Sequence, residues 1–63
     1  MTLECVLFDK NNKEIDWYDP IDDESDVIEN NGILQIKHGN GHNYYIPKNK
    51  YNHFVVREMK EFK

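Results

Sequence analysis

Val27-Ile28-Glu29-Asn30-Asn31-Gly32-Ile33-Leu34-Gln35-Ile36-Lys37-His38, followed by Gly39-Asn40-Gly41-His42-Asn43-Tyr44-Tyr45-Ile46, is the stretch whose reading decides the fold. Asn31-Gly32 is the strongest hairpin signal in the chain, because both residues tolerate the positive φ that a tight two-residue turn demands. Gly39-Asn40-Gly41 admits more than one register. A three-residue loop sets His38 opposite His42, Ile36 opposite Tyr44 and Leu34 opposite Ile46. Apolar residues then meet across one face, which is what fixes register in a half-buried hairpin. This register is preferred to the two-residue alternative, and it predicts three consecutive antiparallel strands, the last ended by Pro47.

Upstream, residues 2–9 read as a strand with Leu3, Cys5 and Leu7 on one face and Glu4, Val6 and Phe8 on the other. Apolar residues on both faces mark a central strand. The Lys- and Asn-rich residues 10–13 form a turn. Residues 14–18 alternate, with Ile15 and Trp17 on one face and Glu14, Asp16 and Tyr18 on the other. Asp19-Pro20 is expected to break that strand, since proline has no N–H to donate and constrains its predecessor. Asp22, Asp23, Glu24 and Asp26 then form a solvated acidic loop.

Downstream, residues 48–53 read as a polar connection, and Phe54-Val55-Val56 favours a final strand running to about Glu58. The alternative is an amphipathic helix over residues 53–62, with Val55, Met59 and Phe62 on one face and Asn52 as its cap. The expected fold class is therefore all-β, a small antiparallel meander or half-closed barrel of five to six short strands. A C-terminal helix would make it α+β.

Composition agrees with strands. The chain has no alanine, and Ile, Val, Tyr, Phe and Trp carry most of its apolar surface. Its 63 residues fit one domain, 1–63. Cys5 is the only cysteine, so neither an internal disulfide nor a Cys-rich zinc cluster can form. A lone thiol fits a reducing, cytoplasmic setting. The first residues lack the basic start and apolar run of a signal peptide. The longest apolar run, residues 5–8, falls far short of the ~20 residues that span a bilayer. Abundant Asn, Lys, Ile and Tyr are what an AT-rich genome encodes, which points to a low-GC bacterium or to a phage or mobile element of one. Charge is lopsided: ten acids against two lysines give residues 1–31 a net −8, and six bases against two acids give residues 32–63 a net +4. Mutual attraction between the halves is the simplest use of that asymmetry.

In size the chain resembles a Src-homology-3-like barrel. Val6-Leu7-Phe8-Asp9 near the start, and Pro47 through Tyr51 before a last strand, are similar to that family's first strand and proline-tyrosine turn. The resemblance covers about a fifth of the chain. Trp17 lies before the Asn-Gly hairpin rather than at that family's mid-domain ligand-binding position, so its ligand-binding residues are not carried over.

Each candidate site also has a plainer role. Cys5 alternates with Leu3 and Leu7 beside Glu4, which predicts a buried, inert thiol. His38 and His42 face each other across a hairpin but lack a third ligand unless His53 or a carboxylate approaches, so exposed turn histidines are preferred to a metal site. Asp22, Glu24 and Asp26 alternate as calcium loops begin. Val27 and Ile33, however, stand where an EF-hand needs glycine and glutamate. That loop (Asp22, Asp23, Glu24, Asp26) is instead a candidate contact surface for a protein partner. Tyr44, Tyr45, Lys48, Lys50, Tyr51 and Arg57 interleave rings and cations as single-stranded nucleic-acid binders do. A sequence pI near 5.2 weighs against that use. No phosphate loop or nucleophile motif is present. The expectation is a non-catalytic interaction module without a cofactor, a monomer or edge-paired dimer, contacting a partner through a strand edge or the acidic loop. The alternative is nucleic-acid binding through Tyr45, Lys48, Lys50, Tyr51 and Arg57.

Overall fold

The computed structural model describes residues 2–59. Six strands make up the architecture: β1 (Leu3–Phe8), β2 (Glu14–Ile21), β3 (Val27–Asn30), β4 (Ile33–Lys37), β5 (Asn43–Pro47) and β6 (His53–Glu58). Two single 3-10 turns, Glu24–Asp26 and Lys48–Lys50, are the only helical residues among those described. The fold is all-β, with no helix among the described residues long and apolar enough to cross a membrane. The strands form two antiparallel three-stranded sheets, ordered β2-β1-β6 and β3-β4-β5.

The central hairpins adopt the register predicted from apolar matching. β4 and β5 pair Ile36 with Tyr44 and Leu34 with Ile46, and the His38 N–H donates to the His42 carbonyl at 2.7 Å. Asn31 and Gly32 take φ of 55° and 77°, the double positive φ that the β3–β4 turn requires. At the β4–β5 tip, Gly39 sits close against β2: its N–H donates to the Pro20 carbonyl at 2.8 Å, and a Cβ there would lie a tight 3.1 Å from that same oxygen. This bond ties the tip of the second sheet to the end of β2.

The final strand runs to Glu58 as expected, which excludes the alternative helix, and two expectations are corrected. Residues 53–62 do not begin a helix: β6 pairs with β1 at every position from Leu3↔Glu58 to Phe8↔His53. Strand period two turns Phe54 and Val56 toward the core, and β1 supplies a backbone partner that a helix would forgo. The rest of that segment, residues 60–62, lies outside the described residues. Asp19-Pro20 does not end β2, which continues to Ile21. The bond is cis, and the pair opposes Glu4 in a register shift between Leu3↔Ile21 and Cys5↔Tyr18. On an edge strand, at a bulge, the missing proline N–H removes no ladder bond. Finally, Ile15 and Trp17 do not share a face. A second shift makes Ile15 an extra residue between Phe8↔Glu14 and Leu7↔Asp16, so Glu14 joins Trp17 on the outer face.

The core lies between the sheets. Cys5, Leu7 and Ile21 from the first sheet meet Leu34, Ile36 and Ile46 from the second, with Tyr51 entering from the connection before β6. Leu3, Tyr18, Val27, Phe54 and Val56 pack around them. β1 is central, as its two-faced apolar pattern predicted: Val6 is as buried on its outer face as Cys5 and Leu7 are on the inner one. No ladder joins the two sheets, so the outer edges of β2, β3, β5 and β6 have no strand partner among the described residues.

Candidate functional site

Part of the charge asymmetry of the sequence is used in ion pairs between its two halves. Arg57 on β6 donates through Nε to Glu4 on β1 at 2.7 Å and reaches Glu14 on β2 at 3.5 Å. Lys48 meets Glu29 at 3.1 Å. Each of these pairs joins an acid of the first half to a base of the second, the mutual attraction anticipated above.

This pairing redraws the basic, tyrosine-bearing surface. Tyr51 is a core residue, only 6% exposed, and its Oη donates to Glu29 at 2.7 Å. Lys48 binds the same carboxylate and lies 5.3 Å from the Tyr51 ring centroid. The expectation that Tyr51 stacks a base is therefore overturned, because its faces are packed against protein. In the sequence Tyr51 sits between Lys50 and Asn52, a polar setting that hides its burial. Lys48, though exposed, and Arg57 are paired with carboxylates, which leaves Tyr45 and Lys50 as the exposed members of that set with no ion pair among the described residues.

The acidic segment is more ordered than a solvated loop. Asp23 caps the 3-10 turn, its Oδ1 accepting the Ser25 N–H at 2.9 Å. Asp22 and Glu24 are exposed, and Asp26 is half-buried. His38 and His42 are joined through their backbones, and the His38 ring is taken up by other backbone groups. His38 Nε2 bonds the Asp19 carbonyl and Nδ1 accepts the Asn40 N–H at 3.3 Å, so both ring nitrogens are engaged within the fold. His53 stacks on Phe8 on the first sheet instead, ring centroids 4.8 Å apart. No cluster of three or more His, Cys, Asp or Glu side chains suited to a metal occurs among the described residues. Burial pushes the Cys5 thiol up to about 11, so the reactive thiolate is scarce at neutral pH.

Hydrogen bonds from Tyr51, then Lys48, hold the Glu29 carboxyl below its ordinary 4.5. The Ser25 N–H does the same for Asp23, below 3.8. A depressed folded-state value stabilises the fold above the unfolded value, and that contribution is lost as pH falls through the folded one. The urea midpoint should accordingly drop as pH is lowered below about 4.5. Glu29→Gln should flatten part of that decline, read by circular dichroism across the acid range.

Where the edges of β2 and β5 come together, the space between the sheets opens into a groove of about 360 Å³. Leu7 and Ile46 form its floor, and Ile15, Tyr18, Tyr45 and Pro47 its apolar walls. Asp16 and Lys50 supply opposite charges. Tyr18 packs on Tyr44 across the gap, centroids 5.0 Å apart, and its Oη donates to Asp16 at 3.1 Å. Burial, followed by that carboxylate, pushes the Tyr18 phenol up to about 12. Ile15 and Tyr45 stay 45% and 61% exposed despite their size. Of the groove, sequence reasoning singled out Tyr45 and Lys50. Ile15 and Asp16 escaped it because nothing in the sequence announces the bulge that turns Ile15 toward the groove. The available signal was a large apolar residue in an otherwise polar strand. Comparison of the chain with protein-family models, with curated proteins and with solved structures finds no match, so function is argued from this geometry.

Proposed function

We propose that the chain is a non-catalytic interaction module that binds an extended segment of another protein along the groove between β2 and β5. The observation that supports this is the coincidence of two strand edges without ladder partners and exposed apolar side chains, Ile15 and Tyr45, at one opening. An unpaired edge offers a row of backbone donors and acceptors to an added strand, and alternate side chains of that strand fall into adjoining pockets. β5 is the better edge for addition, because bulges and Pro20 interrupt β2. Asp16 and Lys50 would set the direction of the bound segment. Cys5, buried and unpaired, supports a reducing, cytoplasmic setting. The Asn- and Lys-rich composition supports an origin in a low-GC bacterium or one of its phages.

The acidic loop is the weaker contact surface, since Asp23 is used as a cap. Nucleic-acid binding keeps only Tyr45 and Lys50, with Asp16 placed to repel phosphate. Selection of a displayed random-peptide library on the folded chain tests the proposal. It should enrich peptides with a shared alternating pattern whose amide shift changes cluster at Ile15, Tyr45 and Ile46. Binding should weaken about tenfold in Tyr45→Ala, a typical loss for an exposed aromatic anchor. Enriched peptides that shift other residues, or oligonucleotides that shift these ones where no peptide does, would refute it.

A further inference from the structure

The opposite face of the first sheet carries a second concavity, of about 240 Å³, unrelated to the groove. Its base is Val6, only 1% exposed, paired in register with Trp17 on one side and Val55 on the other. Trp17 is 59% exposed, a large ring beside an already buried neighbour. Around it stand Glu4, Glu14, Asp19 and Arg57. Three carboxylates against one guanidinium leave an excess of two negative charges. Glu4 is satisfied: its side chain is 13% exposed and accepts from Arg57 at 2.7 Å. Glu14 is not, being 50% exposed and meeting Arg57 only at 3.5 Å. The Asp19 carboxylate makes no ion pair among the described residues, and Asp19 lines the same concavity as Trp17.

We infer that this pocket receives a basic side chain, arginine or lysine, of a protein partner, laid over the Trp17 ring and paired with Glu14 and Asp19. The face of an indole is electron-rich and attracts a cation more strongly than phenol or benzene rings do. A guanidinium suits the site in two ways, since it stacks flat and offers its fork of donors to two carboxylates. The negative excess turns away phosphate and carboxylate ligands. A neutral apolar side chain would leave Glu14 and Asp19 facing an uncharged group and gain nothing from them. Arg57 is no substitute occupant, because it is held at Glu4, at the rim.

The inference does not depend on the groove, and its readout is separate. Trp17 is the only tryptophan, so indole fluorescence reports this pocket alone. The full chain would be titrated with a capped glycine-arginine-glycine peptide, its lysine counterpart, its citrulline counterpart and spermidine. A saturable change in emission is expected with the arginine or lysine peptide, and about tenfold weaker binding for citrulline, as expected for losing the cation–π and ion-pair interactions. Asp19→Asn and Glu14→Gln keep side-chain shape, and each should weaken the basic peptide severalfold while leaving the circular dichroism spectrum unchanged. Equal binding of the citrulline peptide, no saturable response to either basic peptide, or a response to spermidine alone would overturn the assignment. So would basic-peptide affinity that survives both carboxamide variants.

Discussion

Ile36→Ala is expected to destabilise the fold by about 2–5 kcal/mol and to leave a large share of molecules unfolded at room temperature. Ile36 is fully buried on the inner face of β4, opposite Val27 and Tyr44 on its two neighbouring strands. Removing its branched end opens a cavity where both sheets meet, and a chain of this size has few other core residues to close over it. Total stability of small domains starts near 5 kcal/mol, so one such loss consumes most of it. Ile33→Ala is the internal control. Ile33 lies three residues away on the same strand, on its outer face and 43% exposed, and its loss should shift the urea midpoint by much less. Comparable losses at the two positions would mean that β4 faces the core differently from the register described.

Tyr51→Ala is expected to cost about 3–5 kcal/mol, the range for truncating a buried aromatic ring. The ring closes the core beneath the 3-10 turn and packs edge-on to Phe54, centroids 6.3 Å apart. Tyr51→Phe should be far milder, about 1 kcal/mol, because the ring remains and only the bond to Glu29 is lost. Loss of that bond should also raise the Glu29 carboxyl toward its ordinary value, which a carboxyl-carbon titration by NMR would follow. Tyr45→Ala should leave the midpoint nearly unchanged, since Tyr45 projects into the groove. A pattern with Tyr45 costly and Tyr51 neutral would exchange their roles and restore Tyr51 as a ligand-binding candidate.

The parts of the fold legible in the sequence are those in which side-chain period and turn chemistry agree. Asn31-Gly32 and the matched pairs Ile36–Tyr44 and Leu34–Ile46 make β3, β4 and β5 readable residue by residue. The apolar residues on both faces of β1 foretell its central place. β2 departs from its expected alternation because period-two counting has no means of detecting an extra residue. The bulge at Ile15 and the two residues opposing Glu4 each reset the alternation, and proline is tolerated where an edge strand needs no N–H. For β6, Phe54-Val55-Val56 favours a strand while the residues after it suit a helix, and pairing with β1, a tertiary interaction, carries the strand through to Glu58.

The candidate sites were less legible than the strands. A histidine in a turn gives no sign that both its nitrogens bond to backbone, as in His38. A lysine or tyrosine in a polar connection likewise hides the carboxylate that claims it, as Glu29 claims Lys48 and Tyr51. The exposure of Trp17 and Ile15 depends on how bulged β2 sits on the sheet, which local sequence does not encode.

Amide hydrogen exchange, followed by NMR on the dilute chain, tests most directly whether the two sheets leave β2 and β5 unpaired toward each other. Amides within β1 and β4, bonded on both sides, should exchange slowest. Those of β5 that point away from β4 should exchange at least about tenfold faster, because local opening suffices to expose them. Protection of these β5 amides equal to that of β4 would show a strand already seated on that edge, closing the groove and contradicting the proposed addition of a partner strand there.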